Sequence, residues 1–126
     1  MRKAFLWTLG AIIFSVIIFS LYNYAVNSKY RISSEKAKEL IKSNTIDVIL
    51  DVRTDFERNT LGSYSGSVHI ESKDLEEKMK NTFPNKKTHV LIYCNTGHRA
   101  RLATEKLVKL GYSNVHYISS SYKTLM

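Results

Sequence analysis

The sequence predicts an α/β fold with a mostly parallel sheet, preceded by one transmembrane helix. Three observations lead there. Short apolar runs alternate with amphipathic stretches from residue 46 to residue 119. The runs VIL (48–50) and VLIY (90–93) are continuous rather than alternating, the mark of strands buried on both faces as in a parallel sheet. Finally, the 23 residues from Ala4 to Val26 carry no charge.

The N-terminal stretch sets the domain boundaries. At about 1.5 Å rise per residue it can cross a hydrocarbon layer of roughly 30 Å as a helix. Trp7, Tyr22 and Tyr24 lie near its ends and Tyr30 just beyond it, the residue types that settle at membrane–water interfaces. A cleaved signal peptide is the competing reading, because Arg2 and Lys3 make a basic start. The apolar part is long for a signal core, however, and YNYAVNS offers no small-x-small cleavage site. Residues 1–27 are therefore expected to be a single-pass anchor, with lipid contacts through 4–26, and residues 28–126 a single soluble domain. Basic residues on both flanks leave the facing side open, with a lean to the extracytoplasmic side in a bacterium.

Along the domain, ISSEKAKELIKSN reads as a helix capped by Ser33 or Ser34, with Ala37, Leu40 and Ile41 on one face. IDVILDVR is a strand. Residues Thr54–Ser67 read as a long loop with Gly62 and Gly66, before a short strand SVHI. In DLEEKMKNTF the spacing of Leu75, Met79 and Phe83 predicts a helix that Pro84 ends. THVLIYC is expected to be the central strand. RARLATEKLVKLG carries Ala100, Ala103 and Leu107 on one face, Leu110 beyond them, and Gly111 as C-terminal cap. SNVHYIS closes the sheet, and the tail SSYKTLM shows no clear structure.

Composition narrows the function. Seventeen basic residues against 11 acidic ones leave the soluble part at +6, which favours anionic partners such as lipid head groups or small oxyanions. The lysines are scattered and no nucleic-acid motif accompanies them, so no nucleic-acid partner is expected. One cysteine excludes an internal disulfide or a multi-cysteine zinc site. His69, His89, His98 and His116 are far apart and lack ligand spacing, so neither metal nor cofactor is expected.

That cysteine, Cys94, lies in YCNTGHRA, where a strand runs through a tight turn into a helix. Backbone N–H groups of such a turn favour an anionic sulfur. Gly97 admits backbone angles closed to other residues, small Asn95 and Thr96 leave room above the sulfur, and Arg99, helped by His98 and Arg101, adds positive charge. A buried, inert cysteine fits the same local pattern, and on spacing alone the two readings stand level.

Taken with DVR at 51–53, SYSGSVHI and GYSNVHYI, the loop resembles that of the rhodanese family of single-domain sulfurtransferases, over about residues 30–120. In that family a C-x-x-G-x-R loop follows a central strand and Asp-Val-Arg closes an earlier one. The YCN start and short tail resemble the small exported rhodaneses of bacterial envelopes. The resemblance implies a small doubly wound domain in which Cys94 takes a sulfane sulfur from thiosulfate or a polysulfide. A thiol, a thiol protein or cyanide would then remove it from the Cys94 persulfide. N–H groups from Asn95 to Arg99 would hold the negative sulfur. Asp51 would anchor the loop, and Arg53 would pair with Glu57 or help hold an oxyanion.

Related phosphatases and arsenate reductases place five residues between Cys and Arg; here there are four, Asn95 to His98, and Tyr93 stands where their His would be. The smaller pocket suits a terminal sulfur better than a phosphate. Departures from the rhodanese pattern, Ser63 and Ser65 in GSYSGS and the SSSY near the C-terminus, concern loops at the site. They put substrate choice in question and keep a catalytically weak binding or sulfur-sensing module as the alternative.

Overall fold

The computed structural model describes residues 2–126. Its four strands form one sheet in the order β2-β1-β3-β4, every neighbouring pair parallel. These strands are β1 (Val48–Asp51), β2 (Val68–His69), β3 (Val90–Tyr93) and β4 (Val115–Tyr117). The helices are α1 (Arg2–Val26), α2 (Ser34–Lys42), α3 (Asp55–Leu61), α4 (Leu75–Thr82) and α5 (His98–Lys109).

The continuous apolar runs are explained by two cores, one on each face of the sheet. Side chains alternate across a strand, so Val90 and Ile92 of β3 join Leu75 and Met79 of α4 and Ala100, Ala103 and Leu107 of α5. Leu91 and Tyr93 join Ala37 of α2, Ile118 and Leu125 on the other face. Both faces are covered, as a doubly wound fold requires. Each fully buried Leu, Ile or Met contributes about 1.5–3 kcal/mol against exposure.

Ser33 caps α2 by accepting from the Lys36 N–H at 3.1 Å, and Gly111, at φ +102°, follows the end of α5. Two segments differ from expectation. The stretch 54–67 is not all loop, since α3 forms inside it. Thr54 and Glu57 make a reciprocal capping box, yet none of the helix's residues is buried, so it carries no apolar stripe to betray it. The tail also orders, as a 3-10 turn at Tyr122–Leu125 that buries Leu125.

Among the described residues, α1 is the one helix long and apolar enough to cross a membrane, with mean hydropathy 2.3 over its best window and none of that window buried. By length and composition it fits a membrane anchor or a signal sequence.

Candidate active site

Parallel register brings the site together at the carboxyl edge of the sheet. Asp51 at the end of β1 sits level with Tyr93 of β3 and His69 of β2. The next residue, Cys94, turns to the opposite face from Tyr93, toward α5, and is 2% exposed.

The sulfur sits where a helix cap would be. α5 starts after Gly97, which has no side chain to satisfy the free N–H groups of the first turn. Cys94 Sγ instead accepts from the Gly97 N–H at 3.1 Å and the Ala100 N–H at 3.4 Å. Of the donors expected from Asn95 to Arg99, Gly97 is the one that reaches the sulfur; the second, Ala100, lies one residue beyond that span. Gly97 is fixed twice over: its φ is +106°, and a Cβ there would stand 2.7 Å from Ser119 Cα.

Below the loop lies a buried charge cluster. Arg53 and Asp51 form a two-pronged pair, Nε to Oδ1 at 3.0 Å and Nη2 to Oδ2 at 2.9 Å. Asp51 also accepts from Arg58 at 3.0 Å and the Tyr93 hydroxyl at 3.1 Å. Burial pushes the Asp51 carboxyl up, but hydrogen bonds and charge from Arg53 outweigh it and hold the group below its usual range. The Arg53 guanidinium lies 5.3 Å from the Tyr93 ring centroid and 5.5 Å from that of Tyr122. It also donates to the Gly62 carbonyl at 2.6 Å and to Asn95 Oδ1 at 3.2 Å.

Asn95 passes the chain of contacts upward. Its amide donates to Glu57 Oε2 at 2.6 Å, and Arg99 grips both Glu57 oxygens at 2.6 and 2.7 Å. The Arg99 guanidinium holds the Glu57 carboxyl down at about 2, against its partial burial.

The expected residues are thus partly regrouped. Arg53 pairs with Asp51 and not with Glu57, because β1 delivers Asp51 two residues away on the same buried edge. Glu57 takes Arg99 instead, so that Arg99's charge is neutralised beside the sulfur. Thr96 is exposed. His98 and Arg101 turn away from the sulfur toward the end of α1, where they meet the Ala25 and Tyr24 carbonyls. Arg58 and Tyr122 join the site from segments with no local motif, and the sequence signal for α3 is the Thr54-x-x-Glu57 cap. One group of three metal-ligating types lies nearby among the described residues: Asp55, His69 and Glu71 offer atoms within 4.8 Å of one another. They come from α3, β2 and the following turn, a combination that linear spacing does not reveal.

Comparisons with known proteins agree with this architecture. A Rhodanese-like domain model matches residues 33–125. Thiosulfate sulfurtransferase PspE of Escherichia coli (strain K12) is 34% identical over 50 residues, which are 40% of this chain and 48% of that protein. The chain therefore matches about half the length of this curated relative. The human single-domain sulfurtransferase TSTD1 superposes with a TM-score of 0.64 at 20% identity, covering 77% of this chain and 95% of its own. A rhodanese-related protein from Thermoplasma volcanium gives 0.61 at 26% identity, with 75% and 88% covered. A Rhodopseudomonas palustris protein of unknown function, described as a possible tyrosine phosphatase, gives 0.66 at 25%, with 86% and 87% covered. With its family match running from α2 to the last turn, this chain belongs to the rhodanese-like domain family.

Proposed function

We propose that the protein is a sulfurtransferase that carries a sulfane sulfur on Cys94 and is tethered to a membrane by residues 1–27, with residues 28–126 as the catalytic domain. The observation that carries the reading is the pair of N–H groups on the Cys94 sulfur at the start of α5. Fixed donors of this kind stabilise negative sulfur without reorganising during reaction.

The Cys94 thiolate attacks the outer sulfur of thiosulfate; the S–S bond to the sulfonate breaks, sulfite leaves with the electron pair, and a persulfide remains. An acceptor thiolate then attacks the outer persulfide sulfur, forming its own persulfide and releasing the Cys94 thiolate. No net oxidant or reductant is needed. Asp51 and Arg53 are positioning residues: they hold Asn95, and through it the loop. Because Glu57 occupies both arms of Arg99, that guanidinium is not free to grip a tetrahedral dianion, which speaks against a phosphatase.

Burial of Cys94 to 2% exposure favours a second reading, a catalytically weak module that binds or senses sulfur. One experiment separates them. The full-length protein in detergent, incubated with thiosulfate, is expected to gain one sulfur atom in its intact mass, and Cys94→Ser none. An unchanged mass with thiosulfate and with polysulfide rejects the enzyme.

A further inference from the structure

The end of α1 is held by the domain. The last carbonyls of a helix have no partner within it, and here three of them are taken up from outside. Arg101 donates to the Tyr24 carbonyl, His98 Nδ1 to that of Ala25 at 3.3 Å, and the Tyr117 hydroxyl to that of Val26 at 2.5 Å. The Arg101 guanidinium also lies 5.2 Å from the centroid of the Tyr24 ring, and Val26 is 4% exposed. A cation at this end of α1 complements the helix dipole. The apolar body of α1, in contrast, is wholly uncovered by protein.

Two lengths then fix a position. At 25 residues, α1 is roughly 37 Å long against about 30 Å of hydrocarbon, so its last turn reaches the head groups. His98 and Arg101 belong to the first turn of α5, the turn whose Ala100 N–H meets the Cys94 sulfur. The turn that holds the sulfur is therefore the same turn that bears two of the three residues clamping α1.

We infer that the clamp of His98, Arg101 and Tyr117 on the end of α1 holds the Cys94 loop at head-group level, so that the acceptor it serves is a thiol presented at the bilayer surface. The placement rests on α1 being an uncleaved anchor; the acceptor rests also on the sulfurtransferase reading above. In the transfer step, a surface thiolate attacks the outer persulfide sulfur and Cys94 leaves as thiolate. The protein itself stays in place.

Two measurements test this, on the full-length chain in vesicles of phosphatidylcholine and phosphatidylglycerol. For the placement, a spin label at position 96 (Thr96→Cys in Cys94→Ser) is compared with one at position 80 (Lys80→Cys in Cys94→Ser). The expected result is several-fold less access of a water-soluble nickel chelate to position 96; equal access at both overturns the placement. A Gly/Ser spacer of about ten residues inserted after Val26 lengthens the covalent link but leaves every clamp residue intact, and is expected to leave position 96 shielded. Arg101→Glu, which breaks the clamp, is expected to raise access at 96 to the level at 80; a rise with the spacer alone, or none with Arg101→Glu, overturns the clamp.

For the acceptor, thiosulfate-loaded protein is given a phospholipid with a thiol head group or, separately, dithiothreitol. Arg101→Glu is expected to lower the lipid-to-soluble rate ratio about tenfold, because a fixed position is lost. An unchanged ratio overturns the surface acceptor. If neither thiol receives sulfur while position 96 stays shielded, the acceptor fails with the sulfurtransferase reading and the placement stands.

Discussion

Two arginine–carboxylate pairs bracket the Cys94 loop, and they differ in depth. Below it, Arg53 and Asp51 are 1% and 0% exposed; above it, Arg99 and Glu57 are 36% and 21% exposed. Their geometry is alike, two prongs in each case. Their environments make them different devices. The lower pair has lost its water and depends on Tyr93, Arg58, Gly62 and the flanking rings for compensation, so removing one member leaves a stranded charge. The upper pair still has solvent to fall back on, and its value lies in where it holds Asn95 and the start of α5.

The largest expected effect is on the lower pair. Arg53→Met should cost about 3–5 kcal/mol in urea denaturation, because Asp51 stays buried and under-paired. A loss below about 1 kcal/mol would erase the contrast between the pairs. Next comes the loop between them. Gly97→Ala combines a left-handed φ with a 2.7 Å approach to the Ser119 backbone, which should cost about 1–3 kcal/mol and abolish sulfur uptake in the mass assay. Gly66→Ala, at φ +83° with open space around it, should carry the strain alone and leave uptake intact.

Glu57→Gln tests the upper pair through pH. The folded carboxyl sits at about 2, against an ordinary value of 4.5. Its contribution to stability is therefore complete above about pH 4.5 and is lost as pH falls toward 2. Thermal unfolding of the parent should show that decline and the Gln variant should lack most of it, although Asp51 still adds acid sensitivity of the same sign. The smallest change in stability is expected for Arg99→Lys, below about 1 kcal/mol for so exposed a pair. Its persulfide turnover should fall further than its stability, since an ammonium cannot grip both Glu57 oxygens.

How far the sequence revealed this follows the range of the interactions. The strands and the faces of α4 and α5 were legible because burial imposes periodicity on neighbours in the chain. The Cys94 turn was legible for the same reason, being local from β3 through Gly97 to α5. α3 escaped because it buries no residue and so has no stripe; only its cap was written in the sequence. The exchange of partners between the two arginines could not be read at all. Arg53 has an acid two residues away and Arg99 one 42 residues away, and which carboxylate each one meets is decided by strand register and by where α3 docks. Arg101 and His98 looked like helpers for the sulfur because they are close in sequence, but helix geometry turns them onto α1.

Trp7 on α1 is the only tryptophan in the chain, and 79% of it is free of protein contact. Tryptophan emission from the intact protein is therefore a gauge of the medium around α1, blue-shifted in lipid and red-shifted in water, and it is blind to melting of the sheet. Tyr93 and Tyr122, whose ring centroids lie 5.9 Å apart beside Arg53, report on the folded domain instead. Near-ultraviolet dichroism in the tyrosine band and emission from Trp7 thus form two separate channels, one for the site and one for the surroundings of α1.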